Sequence, residues 1–241
     1  MNVFKKNIPN LITLLNLIFG LLAIFFSFEM QLKISSICIL IGAILDFLDG
    51  AIARLLNVTS EIGKQLDSMA DIVTFGVAPS FILFNLMLSK YNEEIINNLF
   101  ELNKIAPYLT AFIVAIFSAI RLANFNIDIK QEKSFIGLPT PALAIFISSI
   151  PFINSKNTTF IFNEENLIFI SLIMSILLIV KIPLFSFKID INEKLNSKLN
   201  ILRLILLIAS CILLFKIQIA AIPFIITLYI ILSIINNLLR I

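Results

Sequence analysis

The chain has 241 residues, of which 59% are hydrophobic and only 14% are charged, where a soluble domain carries about 25%. A soluble fold of this size could not cover its surface with so few polar groups, so a soluble enzyme is excluded. The net charge of +3, from 18 Lys+Arg and 15 Asp+Glu, is too small and too scattered for a nucleic-acid-binding protein.

The sequence contains no histidine and no tryptophan, which limits the chemistry available to it. Without histidine there is no imidazole ligand, no imidazole base and no Ser-His-Asp triad. Any acid–base or metal chemistry therefore falls to carboxylates, lysine, tyrosine or cysteine. Cys38 and Cys211 lie in apolar runs without the spacing of a zinc site or a disulfide framework, so we interpret them as small hydrophobic residues.

Apolar stretches long enough to cross a bilayer as a helix, which takes about 20 residues, recur along the chain. We predict about eight transmembrane helices, at residues 8–28, 33–56, 67–89, 105–125, 135–154, 165–183, 200–216 and 217–236. The first lacks a small-residue cleavage site and is expected to be retained rather than removed as a signal peptide. The last two nearly meet at Lys216, which predicts a tight hairpin, with one long or re-entrant helix as the alternative. The predicted fold class is all-α, a polytopic membrane protein with a single domain over residues 1–241.

The distribution of basic residues predicts the orientation of these helices. With the N-terminus in the cytoplasm, most of the 18 lysine and arginine residues fall in cytoplasmic loops or helix ends. This asymmetry satisfies the positive-inside rule. We therefore expect a multi-pass protein of the cytoplasmic (inner) membrane with both termini in the cytoplasm.

Four of the six aspartates are concentrated where the second predicted span ends and the third begins. They are Asp46, Asp49, Asp67 and Asp71. An ionised carboxylate within a bilayer costs at least about 2.5–3.5 kcal/mol, so four in one region require compensation. The first two are three residues apart and the last two are four apart, spacings that place each pair on one face of a helix. Two antiparallel helices can therefore present all four carboxylates to one point.

The oxygen-only character of this cluster favours a site for two divalent cations. Mg²⁺ and Mn²⁺ prefer oxygen ligands, and two such ions about 3.5–4 Å apart can clamp a phosphoryl group. A cation or proton path is a second interpretation, because intramembrane acids often mark transport routes. Ion pairing with Arg54 and Lys64 is a third.

The aspartates belong to a longer pattern. Residues 46–71 follow D-x2-D-G-x2-A-R-x8-G-x3-D-x3-D at every fixed position. This pattern resembles the signature of the CDP-alcohol phosphatidyltransferase family. The resemblance implies the helical fold of that family, a two-metal site near the cytoplasmic membrane surface, and a reaction in which an alcohol attacks a CDP-linked lipid and CMP leaves. It also implies that Asp71 is the general base and that the metal ligands are Asp46, Asp49, Asp67 and Asp71.

Residues around the aspartates are candidates for binding the CDP-lipid. Arg54 can donate two parallel hydrogen bonds to phosphate oxygens, which lysine cannot do. Gly50 and Ala53 lack bulk and would let a nucleotide come close to the backbone. By resemblance, the CDP-lipid-binding set is Asn10, Thr13, Gly50, Ala53, Arg54 and Gly63. For Asn10 and Thr13, in the first span, the alternative role is helix capping. For Gly63 the alternative role is the start of a helix.

Three further stretches, residues 68–79, 121–126 and 135–142, resemble the membrane-integral bacterial phosphatidylserine synthases within this family. The implied substrates are CDP-diacylglycerol and L-serine. Arg121 is the candidate ligand for the serine carboxylate. Asn124 stands where the family commonly has a second arginine, which weakens the assignment of serine.

Two other functions remain open at this point. Glycerol 3-phosphate or an inositol phosphate could replace serine as the acceptor, and a cation or proton transporter could use the same acidic cluster. The resemblance covers about residues 6–150, which we expect to be the catalytic core, whereas about residues 165–236 are expected to be additional spans. The family resemblance also implies a homodimer.

Overall fold

The computed structural model of the protein describes residues 3–58, 60–88, 105–127, 137–153, 163–185 and 198–238, and these residues contain no β-strand. Its α-helices are α1 (Val3–Phe28), α2 (Leu32–Leu56), α3 (Glu61–Asp71), α4 (Ala78–Leu88), α5 (Ile113–Ile127), α6 (Thr140–Ser149), α7 (Glu164–Ile179), α8 (Lys198–Ile217) and α9 (Ile222–Leu238). A π-helical turn joins α3 to α4 at Ile72–Val77, and 3-10 turns occur at Tyr108–Phe112, Ile150–Phe152 and Gln218–Ala221. The predicted all-α fold class is confirmed.

Within the described residues, five helical stretches are long and apolar enough to cross a membrane. They are Asn7–Phe28, Leu32–Leu56, Glu61–Leu88, Tyr108–Ile127 and Leu199–Leu238. A shorter apolar stretch covers Thr140–Phe152. The chain is therefore a polytopic membrane protein, as its composition predicts. The predicted helix boundaries at residues 89, 135 and 154 lie outside the described residues.

The third of these stretches, Glu61–Leu88, is the central helix of the molecule. It begins at Glu61 rather than at residue 67 because the side chain of Ser60 caps it, accepting a hydrogen bond from the backbone N–H of Gly63 at 2.9 Å. Its most apolar window is 61% buried, against 28% for each of the first two spans. The helices α1, α2, α5, α6 and α7 pack around it.

The central helix widens into a π-helical turn at Ile72–Val77, where it packs closely against α1 and α2. Thr74 is fully buried, and its hydroxyl donates a hydrogen bond to the backbone carbonyl of Asn16 at 3.1 Å. A Cβ added to Gly42 would lie 2.6 Å from Thr74 Cγ2, and one added to Gly20 would also collide with the Thr74 side chain. The two glycines therefore allow three helices to meet at this level.

The connection between α2 and α3 brings the aspartates together. Asn57 ends α2 in a left-handed conformation with φ 50° and ψ 43°, and its backbone N–H donates to the carbonyls of Ala53 and Arg54. Ser60 then begins α3. The C-terminal end of α2 consequently lies beside the N-terminal part of α3, and both contact α1.

The last two helices, α8 and α9, form a hairpin rather than a single straight helix. The chain reverses at Gln218, which has a φ of 50°, and Leu206 of α8 packs with Leu232 of α9. The Tyr229 hydroxyl donates to the backbone carbonyl of Phe185 at 2.9 Å, which ties the hairpin to the preceding segment. Only 11% of the most apolar window of the hairpin is buried, so it lies at the periphery.

Candidate active site

The carboxylates of Asp46, Asp49 and Asp67 converge at one point between α2 and α3. One oxygen from each lies within 4.8 Å of the corresponding oxygens of the other two. The spacing of the aspartates in the sequence predicts this convergence, because residues three or four apart share one helix face. The group consists only of oxygen donors, so these three side chains could hold a metal ion.

Asp71 adjoins this group without completing it. Its carboxyl lies within hydrogen-bonding reach of Asp46, which also contacts Asp67. Asp71 is buried, and the side-chain amide of Asn16 on α1 donates to its Oδ1 at 3.4 Å. The predicted cluster of four is therefore a group of three with a fourth, buried carboxyl beside it.

The side chain of Thr13 contacts the carboxylate of Asp49 in this structure. Its hydroxyl donates to Asp49 Oδ2 at 2.6 Å, and the same hydroxyl lies 3.1 Å from the backbone carbonyl of Pro9. A hydroxyl has a single hydrogen, so the shorter contact to the charged acceptor is the stronger of the two. Thr13 consequently fixes the rotamer of Asp49 from the α1 side.

The neighbouring cations do not neutralise these carboxylates. Arg54 is exposed, and its Nε donates to the backbone carbonyl of Gly50 at 3.1 Å. The Lys64 ammonium donates to the backbone carbonyl of Asn126 at 3.3 Å. Both cations of the ion-pairing interpretation are therefore directed elsewhere. A cluster of converging carboxylates without these counterions fits a hard divalent cation, which supplies the missing positive charge.

A cavity of about 500 Å³ opens beside the carboxylates. Its walls come from the start of α1, the end of α2 and the start of α3, and its lining residues are Pro9, Asn10, Thr13, Asp49, Gly50, Ala53, Val58, Ser60, Glu61, Gly63, Lys64 and Asp67. Five of the six residues predicted to bind the CDP-lipid line it, and Arg54 does not. The volume falls within the usual range for small-molecule and cofactor sites.

The two glycines of the motif have different local environments. A Cβ added to Gly50 would meet nothing within 4 Å, so Gly50 borders open space. A Cβ added to Gly63 would lie 2.7 Å from Asn10 Oδ1 and 2.8 Å from Ser60 Oγ. Gly63 is therefore required by the close approach of the α1 side chain and by the cap of α3.

Arg121 on α5 lies on the Asp71 side of the cluster. Its Nη1 donates to the hydroxyl of Thr140 at 3.2 Å, and its charge interacts with that of Asp71. Its Nε is buried and has no hydrogen-bond partner. A guanidinium with an unused buried donor is suited to binding an anion.

Three polar residues of this region, Asn16, Thr74 and Thr140, are absent from the sequence-based set of site residues. All three are fully buried. The sequence contains a signal for the first, because Asn10, Thr13 and Asn16 recur at intervals of three within an apolar run and so share one helix face. Thr74 has a similar signal, because it follows Asp71 by three residues on the same helix, whereas Thr140 contacts the site only through tertiary packing, which local spacing does not reveal.

Comparisons with known proteins agree with the motif. The sequence model of the CDP-alcohol phosphatidyltransferase family matches residues 6–184. A CDP-diacylglycerol–serine O-phosphatidyltransferase of Helicobacter pylori is 37% identical over 203 residues, which are 83% of this chain and 79% of that protein. The protein of that name in Bacillus subtilis is 34% identical over 190 residues, 79% of this chain and 96% of its own length. The one in Methanocaldococcus jannaschii is 39% identical over 140 residues, 58% of each chain.

The family match confirms the resemblance seen in the motif and extends it. It continues past residue 150, where the resemblance recognised in the sequence ends, and it includes α7. It ends before α8, so the C-terminal hairpin lies outside the matched region. The chain belongs to the CDP-alcohol phosphatidyltransferase family.

Proposed function

We propose that this protein transfers the phosphatidyl group of CDP-diacylglycerol to the hydroxyl of L-serine, giving phosphatidylserine and CMP. The observation that carries the proposal is the convergence of Asp46, Asp49 and Asp67 beside a cavity of about 500 Å³. The printed names of the relatives from Helicobacter pylori and Bacillus subtilis support the choice of substrates.

The reaction is a displacement at phosphorus. The serine hydroxyl oxygen forms a bond to the phosphorus of the phosphatidyl group, and the bond from that phosphorus to the bridging oxygen of the pyrophosphate breaks. CMP leaves with the electron pair, and Asp71 takes the proton of the serine hydroxyl. Asp71 suits this role because the chain has no histidine, and because Asn16 holds its carboxyl beside the metal-binding group.

We assign the cluster to two divalent cations, Mg²⁺ or Mn²⁺, held by Asp46, Asp49 and Asp67 with Asp71 beside them. When bound, such ions neutralise the negative charge of the pyrophosphate and polarise the phosphorus under attack. The hydrogen bond from Thr13 supports this assignment, because it pre-orients the Asp49 carboxylate before any ligand arrives.

The CDP moiety would occupy the cavity between α1, α2 and α3. Asn10 offers an amide at the cavity wall, and Gly50 and Ala53 present backbone with little side-chain bulk. Arg54 is exposed one turn after Gly50, from which its remaining guanidinium donors can reach a pyrophosphate oxygen. The serine carboxylate would bind to Arg121, whose charge interacts with that of Asp71.

The wider arrangement follows from charge distribution and from the family. We propose a single membrane domain over residues 1–241, in the cytoplasmic membrane with both termini inside, so that CDP-diacylglycerol and serine meet at the cytoplasmic surface. A homodimer is proposed on the family resemblance.

The test is an acceptor panel with the purified full-length protein in detergent. CMP release from CDP-diacylglycerol is measured with serine, glycerol 3-phosphate, inositol phosphate or water, in Mg²⁺, Mn²⁺ or excess chelator. We expect release that requires both serine and a divalent cation. Release with another acceptor only would refute serine as the substrate, and no release with any acceptor would favour the transporter alternative.

The variant that tests metal binding by the cluster is Asp67→Asn, which keeps the shape of the side chain and removes its charge. We expect this variant to insert and purify normally with turnover reduced by at least about 100-fold, because a neutral amide is a poor ligand for a hard divalent cation. Retained turnover would contradict metal binding by the cluster.

A further inference from the structure

The segment Gly137–Thr140 has no role in the chemistry described so far, although it contacts Arg121 directly. Thr140 is the first residue of α6 and is fully buried. Its hydroxyl oxygen accepts a hydrogen bond from Arg121 Nη1 at 3.2 Å. These two residues are 19 positions apart in sequence, so the contact depends on how α6 is placed against α5.

The backbone that precedes Thr140 is hydrogen-bonded to the end of α7 and to a residue just after it. The N–H of Gly137 donates to the carbonyl of Ile182 at 2.9 Å, and the N–H of Leu138 donates to the carbonyl of Leu177 at 3.0 Å. Leu177 belongs to the last turn of α7, where carbonyls lack a partner within the helix, so the second bond satisfies one of them. The segment is thus anchored to a helix that makes no contribution to the carboxylate cluster.

Gly137 is needed for this anchoring. Its φ is +77°, a conformation that favours glycine, and an added Cβ would lie 3.1 Å from the carbonyl oxygens of Leu178 and Val180. The segment can therefore approach the end of α7 only with glycine at this position. That approach determines where the hydroxyl of Thr140 stands.

Arg121 needs a second anchor because of the charge beside it. Its guanidinium is attracted by the carboxylate of Asp71, and its buried Nε has no partner. A guanidinium is planar, so a hydrogen bond at one Nη restricts the orientation of all its donors. Thr140 supplies that bond from a side chain that is neutral and fully buried, and so keeps Arg121 from rotating onto Asp71.

We infer that Thr140 is a positioning residue. It holds the Arg121 guanidinium in an orientation in which its donors can bind the carboxylate of the acceptor, and Gly137 and the end of α7 fix Thr140 in place. The inference rests on the proposed function, since it assigns Arg121 to the acceptor rather than to the nucleotide. In this arrangement the hydroxyl of Thr140 touches neither substrate and acts only through Arg121.

The test compares Thr140→Val, which removes the hydroxyl and nearly preserves the shape, with Thr140→Ser, which keeps the hydroxyl. Steady-state kinetics of CMP release are measured for the full-length protein with serine and CDP-diacylglycerol varied separately. We expect Thr140→Val to raise the KM for serine about tenfold, the size of effect that follows from losing a hydrogen bond to a charged group. The KM for CDP-diacylglycerol and the kcat at saturating serine stay within about twofold of wild type, and Thr140→Ser behaves as wild type.

A double-mutant cycle tests whether Thr140 acts through Arg121. In the Arg121→Ala background, Thr140→Val should produce no further rise in the serine KM, because the group that it positions is already absent. Additive effects, an equal rise in both KM values, or a failure of Thr140→Ser to restore the serine KM would overturn the inference. Should Thr140→Val fail to insert, Thr140→Ala against Thr140→Ser gives the same comparison.

Failure of this inference is distinguishable from failure of the proposed function. A wild-type protein that releases no CMP with serine would refute both. A wild-type protein that uses serine, with a serine KM that Arg121→Ala raises and Thr140→Val leaves unchanged, would refute the positioning role alone.

Discussion

At the residue scale, two side chains of α1 hold two aspartates from the same direction. The Thr13 hydroxyl donates to Asp49, and the Asn16 amide donates to Asp71. Thr13 and Asn16 are three residues apart, so they lie on one face of the helix and reach α2 and α3 together. Two uncharged side chains, those of Thr13 and Asn16, thereby orient the carboxylates on which the proposed chemistry depends.

Asn16→Ala should lower kcat about tenfold while leaving the KM for CDP-diacylglycerol within about twofold of wild type. The side-chain amide that orients Asp71 is lost, whereas the backbone carbonyl that accepts from Thr74 remains. Steady-state CMP release measures both parameters. Leu11→Ala, at an exposed position of the same helix, is the control and should match wild type. A rise in the lipid KM with unchanged kcat would place Asn16 in the nucleotide site instead.

Arg54→Lys should raise the KM for CDP-diacylglycerol about tenfold and leave the KM for serine unchanged. A lysine keeps the positive charge but cannot make the paired hydrogen bonds of a guanidinium to a pyrophosphate. Initial rates with each substrate varied in turn distinguish the two effects. Equal changes in both constants would argue against a pyrophosphate contact.

At the element scale, the π-helical turn is held by glycines on both neighbouring helices. Gly20 and Gly42 face Thr74, and neither has room for a Cβ. The buried hydroxyl of Thr74 is paired at this level, since it donates to the carbonyl of Asn16. The same packing therefore supports both the join between three helices and the helix turn that carries Asp71.

Gly42→Val should destabilise the protein by about 1–3 kcal/mol, the usual cost of overpacking a filled interior. The added atoms would press on Thr74 and on the Asn16 side chain. Thermal unfolding in detergent, followed by circular dichroism, measures the loss. Gly50→Ala is the control, because a Cβ at that position meets nothing within 4 Å, and its melting temperature should equal or slightly exceed that of wild type, since alanine is the better helix former. Equal melting temperatures for Gly42→Val and wild type would show that the three helices can separate at this level.

The sequence predicts those parts of the fold and site that depend on local spacing. The helical spans follow from apolar run length, and the convergence of Asp46, Asp49 and Asp67 follows from intervals of three and four residues. The contacts from Asn16 to Asp71 and from Arg121 to Thr140 join different helices, so no local interval indicates them. The predicted start of this span at residue 67 is wrong, because residues 61–66 are low in hydropathy and the helix that includes them is set by the Ser60 cap.

At the scale of the whole molecule, the C-terminal helices α8 and α9 are less buried than the helices that carry the site. The family match ends at residue 184, and the hairpin of α8 and α9 beyond it is mostly exposed to the surroundings. Contacts between Tyr229 and Phe185 and between Asn237 and Pro183 attach it to the rest of the chain. The hairpin is thus an addition at the edge of the family fold, away from the carboxylates.

Fusion of a reporter that fluoresces only in the cytoplasm should give a signal from either end of the chain. The expectation follows from the proposed topology, in which most of the 18 lysine and arginine residues and both termini fall on the cytoplasmic side. Whole-cell fluorescence, with a periplasm-specific reporter at the same positions as the control, measures the orientation. A periplasmic signal from the C-terminal fusion alone would mean that the number of crossings is odd.

The burial of the central helix has a consequence for how the bilayer influences turnover. Most of residues 70–88, including Asp71, are buried by neighbouring helices, whereas none of residues 61–69, which include Asp67, is buried. Changes in acyl-chain length or membrane fluidity act first on the outer helices. They reach the carboxyl group of Asp71 only after those helices have shifted, so the proposed general base is separated by protein from the lipid that the enzyme itself helps to make.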